Sequence, residues 1–103
     1  MIQVYIHKYQ NKIDYMDIKG HANYSKHGED LVCAGVSCVI FGLLNAIEKY
    51  NCIIDVDNDE ITIKVNDLKN EKIQSMLELV SIQLETIKGS YGDYLEIRQE
   101  ENS

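Results

Sequence analysis

The sequence predicts an α+β fold: a two-layer, mainly antiparallel sheet in the order ββαββαβ, covered on one face by two helices. Three observations predict it. Apolar residues alternate with period two near the N-terminus, and recur with a period near 3.6 over two later segments. Short β-branched runs fall between and after those segments. The connections are short, which favours antiparallel pairs, and two amphipathic helices bury most simply against one face of such a sheet.

Each element has its own signal. Ile2, Val4 and Ile6 alternate with polar or amphipathic neighbours, a strand over about 2–10. Asn11-Lys12 is expected to turn the chain into a second strand, Ile13 to Gly20. A polar stretch, Asn23 to Asp30, follows. Val36, Val39, Ile40, Leu43, Leu44 and Ile47 then share one helical face. Ile53 to Val56 and Ile61 to Val65 flank Asp57-Asn58-Asp59 as a hairpin. Ile73, Met76, Leu77, Val80, Leu84 and Ile87 mark a second helix, with Gly89 expected as its C′ glycine, and Tyr94 to Ile97 reads as a closing strand.

One domain, residues 1–103, accounts for the whole chain. It is 45% hydrophobic, holds fourteen isoleucines, and contains no proline and no Gly/Ser-rich linker. A domain of this size buries roughly 60–65% of the surface its unfolded chain exposes. The three cysteines cannot all pair within one chain. The N-terminal alternation differs from the apolar block of a signal peptide, and the run Ala34 to Leu44 is too short to cross a bilayer. These features point to a reducing, cytoplasmic compartment without membrane contact. A net charge of −7 disfavours direct contact with nucleic acid, which needs clustered Lys and Arg. It would attract a basic protein or peptide, or simply keep the domain soluble.

Chemistry is concentrated in Gly20-His21-Ala22, the polar loop, and Gly28-Glu29-Asp30-Leu31-Val32-Cys33-Ala34-Gly35-Val36-Ser37. A thiol is a good nucleophile only as its thiolate. Cys33 is expected in the first turn of a helix, where the macrodipole and free N–H groups favour a thiolate and a developing oxyanion. His21, at a strand end, could take the thiol proton and return it to a leaving amine. The same residues also allow a plainer reading, with Cys33 a small buried hydrophobe and His21 a surface residue.

The Gly-His-Ala block, the Gly-x-Asp-x-Val-Cys-Ala block and Ser37 resemble the ribosomal-processing cysteine protease family, Prp. The resemblance implies an endopeptidase that removes the N-terminal extension of a large-subunit ribosomal protein after bulky aromatic residues. It implies a Cys33/His21 dyad, a homodimer, and chemistry without metal or organic cofactor. Ala34 belongs to the same motif. Asp30 reads either as the N-cap of the Cys33 helix or as a third member orienting His21. Ser37, one turn beyond Cys33, either shapes the site or bonds back to the helix. Gly20 and Ala22 leave room for close approach by backbone or substrate. Asn23 to Glu29 is expected to be a lid that orders on a bound peptide. Two other functions remain: a zinc site on His21, His27 and Cys33, and a non-catalytic acidic module binding a ribosomal or ribosome-assembly protein. Outside the motif, His7 is expected to be exposed, Cys38 and Cys52 to be core or structural thiols, Tyr91 and Tyr94 to pack, and Gly42 to serve helix–sheet contact.

Overall fold

Gln10 and Asn11 both take positive φ, 49° and 69°, the backbone of a two-residue turn whose twist matches the strands it joins. The turn therefore sits one residue earlier than expected. Two bonds hold it: Gln10 N–H donates to the Asn102 carbonyl at 2.9 Å and Asn11 N–H to Glu101 Oε2 at 3.0 Å. This computed structural model describes residues 1–20 and 29–103, with the backbone alone for Glu29 and Asp30.

The elements are β1 (Ile2–Tyr9), β2 (Lys12–Lys19), α1 (Glu29–Ile47), β3 (Cys52–Val56), β4 (Glu60–Val65), α2 (Glu71–Tyr91) and β5 (Leu95–Asn102). Together the strands form one five-stranded sheet in the order β3-β4-β2-β1-β5. Three ladders are antiparallel, and β1 with β5 is parallel. The expected ββαββαβ order holds, in a mixed sheet. A helical crossover returns a chain in the direction it left. So β5 runs with β4, and hence with β1. It is also twice as long as the predicted 94–97, because its polar end, Arg98–Asn102, joins through backbone bonds to β1 rather than through apolar burial.

β2 carries a β-bulge. His7 pairs with Tyr15 and Lys8 with Ile13, leaving Asp14 as the extra residue. The bulge turns Ile13 to the same face as Met16 and Ile18, and all three are buried. Against that face lie Val36, Ile40 and Ile47 from α1 and Ile73, Leu77 and Leu84 from α2, all buried. Full burial of such a side chain stabilises by about 1.5–3 kcal/mol. The predicted helical faces are the observed ones, with Val39, Met76 and Ile87 at their half-buried margins. Tyr91 and Tyr94 pack against the same core.

α2 is fastened at its start. Asn70 caps it, accepting from the N–H of Lys72 at 3.0 Å and of Ile73 at 3.1 Å. One turn on, buried Gln74 takes the Ile13 N–H on Oε1 and donates Nε2 to the Ile13 carbonyl, both at 2.8 Å. The β4 ladder reaches only as far as Tyr15 on β2, so the side-chain amide stands in for a strand beside Ile13. At its other end α2 runs through Gly89 to Tyr91, and Gly92 is the C-cap, in a right-handed conformation. Gly89 is therefore inside the helix and not its C′ residue. No left-handed residue is needed where the helix unwinds directly into the approach to β5.

Three other expectations change, at Cys38, Gly42 and His7. Cys38 is exposed on the outer side of α1 rather than a core thiol. Gly42 has open space around its Cα and makes no helix–sheet contact. Cys52 packs against the core as expected, half-buried with its Sγ 3.3 Å from the Ile47 carbonyl, and burial raises its pKa. His7 is half-buried. Its Nδ1 meets Asp14 Oδ1 at 2.6 Å and its Nε2 meets Asn102 Oδ1, and these two bonds raise its pKa, that to Asp14 the more. No helix among the described residues is long and apolar enough to cross a membrane.

Gln74→Leu keeps the volume but strands two buried backbone groups, each costing about 1–3 kcal/mol. Urea denaturation should show a loss of about 2–4 kcal/mol with an unchanged m-value. A neutral result would mean that solvent reaches Ile13.

Candidate active site

α1 begins at Glu29, so Asp30 is its second residue and Cys33 its fifth. A residue with helical backbone on both sides is not the flanking cap, and Asp30 does not hold the N-cap position. Cys33 likewise stands one turn further in than expected. There the N–H of an α-helix is already paired with the carbonyl four residues back, so the free donors of the first turn belong to Glu29, Asp30 and Leu31. The dipole also fades beyond the first turn. Cα–Cβ bonds in a helix tilt toward its N-terminus, so the thiol still leans toward those donors.

Cys33 is half-buried and opens, with exposed Ser37, onto a groove of about 300 Å³ between the two layers. Its floor is apolar: Ile2, Ile18 and Ile61 from the sheet, Val36 and Ile40 from α1. Phe41 and Val56 stand at the mouth, 47% and 51% exposed. Asp57, Asn58 and Asp59, the turn between β3 and β4, form one rim with Glu60 at the start of β4. Sequence reasoning took this turn only as a hairpin signal. Its place beside Cys33 depends on pairing between residues some forty positions apart. Ala34 is exposed and lies outside the groove lining.

Gly20 joins these parts. Its φ is +81°, and a Cβ there would lie 2.6 Å from the Met1 carbonyl oxygen. Its N–H donates to the Asp59 carbonyl at 3.0 Å. The close approach expected at Gly20 is thus made by backbone, the N-terminus on one side and the β3–β4 turn on the other. His21 and Ala22 lie outside the described residues, as do the proposed lid from Asn23 and the His27 of the zinc alternative. Among the described residues, no three His, Cys, Asp or Glu side chains are grouped to hold a metal ion.

Behind the rim, on the sheet face away from the helices, Lys19 Nζ lies 3.7 Å from both Asp17 Oδ2 and Glu60 Oε2. Asp17 is buried, and its Oδ1 has no hydrogen-bond partner. Burial first, then the hydrogen bond and charge of Glu60, raise its carboxyl to about 6. A polar position on an outward strand face gave no sign of this burial.

The sequence model of the family described as cysteine protease Prp matches residues 1–96. The chain belongs to that family. The ribosomal processing cysteine protease Prp of Bacillus subtilis is 35% identical over 107 residues, covering 94% of this chain and 96% of that protein. That of Staphylococcus aureus is 30% identical over 93 residues, covering 85% and 88%. The crystal structure of the S. aureus essential ribosomal processing protease Prp with a covalently linked product peptide superposes with a TM-score of 0.87 at 30% identity, over 97% of this chain and all of that one. Another, with a substrate peptide, gives 0.85 at 30% identity over 99% of this chain. As a Prp, the chain is a cysteine peptidase, and membership decides against a non-catalytic module.

Gly20→Ala should cost about 2–3 kcal/mol from left-handed strain and the Met1 contact, and lower peptidase turnover more than about tenfold by moving the rim. Gly42→Ala, in open space within a helix, should stabilise by about 0.5–1 kcal/mol. Equal melting temperatures for the two variants would refute the role given to Gly20.

The raised Asp17 carboxyl stays protonated in the folded chain where the unfolded one has ionised. Its contribution is therefore favourable below about pH 4 and lost as pH rises toward 6. Asp17→Asn removes that loss. It should stabilise the fold at pH 7.5 by about 1 kcal/mol, discounted for screening, and the gain should vanish at pH 4. A pH-independent difference in denaturation midpoint would assign the effect to packing.

Proposed function

We propose that this chain is an endopeptidase that removes the N-terminal extension of a large-subunit ribosomal protein, with Cys33 as nucleophile and His21 as general base. The observation that carries the reading is the position of Cys33, half-buried and open to a groove whose rim is tied to Gly20, the residue before His21. The printed names of the relatives in B. subtilis and S. aureus, and the peptide complexes of the latter, support the substrate class.

In this reading the Cys33 thiolate attacks the scissile carbonyl, and the first-turn N–H groups of α1 receive the oxyanion. His21 holds the thiol proton and delivers it to the departing amine. Water then hydrolyses the thioester and regenerates the thiol. Asp30, no longer a cap, keeps the second role weighed for it, orienting His21. Ser37 shapes the groove wall one turn from Cys33. Nothing in this chemistry calls for a metal or organic cofactor.

The reading also places the enzyme in the cytoplasm as a homodimer that does not contact nucleic acid directly. Three free cysteines suit a reducing compartment, and a net charge of −7 disfavours phosphate contact. The family resemblance supports the dimer.

Cys33→Ala should fold normally and lower cleavage of the extended ribosomal protein, read by product mass, at least about a thousandfold. Cys38→Ala and Cys52→Ala should retain it, since neither thiol reaches the groove. His21→Ala should slow alkylation of Cys33 near neutral pH. Undiminished turnover in Cys33→Ala would end this assignment.

A further inference from the structure

We infer that the free edge of β3 binds the substrate peptide as a sixth strand, through the backbone N–H and C=O groups of Ile54 and Val56. The inference rests on the peptidase reading of the groove and goes beyond it to how the peptide is held. β3 ends the sheet on one side, and among the described residues its one strand partner is β4. The bonds that flank this ladder fix the direction of its backbone groups. Asn66 N–H donates to the Asn51 carbonyl at 3.2 Å before it, and Asp57 N–H to the Glu60 carbonyl at 2.8 Å after it. Positions 51 and 57 therefore face β4, and with an unbroken register so do Ile53 and Asp55. The groups of Ile54 and Val56 point the other way, where no described strand pairs with them.

Sheets protect such an edge with charged side chains, proline, bulges or a covering element. The opposite edge, β5, has that protection, with Glu96, Arg98, Glu100 and Glu101 along it. β3 reads Cys-Ile-Ile-Asp-Val, with one charge, no Lys or Pro and no bulge. It also leaves apolar side chains uncovered on both faces. Ile54 pairs with buried Ile63, so Val56 shares the helix side with it, whereas Ile53 pairs with Lys64 on the outer side. Ile53 and Val56 are both exposed. An added strand alternates its side chains and so covers both at once.

The position of the edge decides its occupant. Val56 and Cys33 line the same groove. α1 leads the chain back to the start of β3, so the end of β3 and the start of α1 lie at the same end of the sheet. A peptide lying ~4.8 Å beyond β3 turns every second side chain toward Phe41 and Val56 at the groove mouth. Past Val56 the same chain runs on toward the Cys33 thiol. In strand addition the main-chain bonds supply affinity, and pockets for alternate side chains supply selectivity. Free edge and groove thus divide those two tasks for one extended peptide.

The test follows amide hydrogen exchange by NMR in Cys33→Ala protein, alone and with a synthetic peptide spanning the cleavage junction of the extended ribosomal protein. Alone, the Ile53 and Asp55 amides should exchange slowly and those of Ile54 and Val56 fast. With peptide bound, exchange at Ile54 and Val56 should slow by about tenfold or more, while Ile53 and Asp55 change little. N-methylation of the peptide at successive residues should weaken binding, read by fluorescence anisotropy, about three- to tenfold at alternate positions only, because every second N–H of an added strand faces β3. Binding without new protection at Ile54 and Val56, losses without a period of two, or no binding at all would overturn the inference. Protection there before peptide is added, rising with protein concentration, would give the edge to a second copy and overturn it as well. Cleavage by the unmodified enzyme is scored separately. Cleavage without edge protection sinks the edge assignment alone, whereas edge protection without any cleavage sinks the peptidase assignment alone.

Discussion

The groove depends on one backbone constraint, the passage through Gly20. Its left-handed φ, the 2.6 Å that would separate a Cβ from the Met1 carbonyl, and its bond to Asp59 fasten three separate pieces of chain at one point. Any L-residue there must move the N-terminus or abandon the conformation, and either shift opens the rim. The proposed base follows Gly20 directly in sequence. Gly20 is thus a structural joint whose effect on chemistry passes through its neighbours, which is why a residue without a side chain belongs in an account of the site.

Electrostatics around the groove are ordered by depth. On the outward face of the sheet a buried carboxyl, Asp17, sits beside Glu60 with one lysine between them. Two carboxylates sharing one ammonium resist full ionisation, and burial adds to that resistance, so Asp17 carries the strain as a raised pKa. Glu60 carries the same lysine contact at 3.7 Å and is the more exposed of the two carboxylates.

Much of this was legible from the residues. Period and β-branching gave every element, because apolar burial on one helical face or one strand face leaves a regular trace. The motif around His21 and Cys33 led to the family. Features set by contacts between distant segments left no such trace. The parallel pairing of β5 follows from the crossover through α2, and its polar end joins by backbone alone. Gln74 looks like an ordinary helix glutamine until the bulge at Asp14 and the short β4 ladder leave Ile13 without a strand partner. Asp30 was misplaced because Asp is a common cap, whereas α1 starts one residue before it. Cys38 is exposed although cysteine is among the residue types most often buried.

The position of the groove follows from topology. β2 ends, β4 begins and β1 begins at the same end of the sheet, as the pairings of Lys19 with Glu60 and with Gln3 require. α1 must start near that end, since it follows β2, and must cross β4 to deliver the chain to β3. Helix start, strand ends and hairpin turn therefore converge on one side, leaving a gap between layers that no element among the described residues fills. The opposite end is closed by the Gln10-Asn11 turn and its bonds to β5. Loops and strand ends are where a rigid scaffold can carry adaptable chemistry at low cost to its core. Here the core residues lie behind the groove, and its rim is made of a turn and a strand end rather than of core side chains.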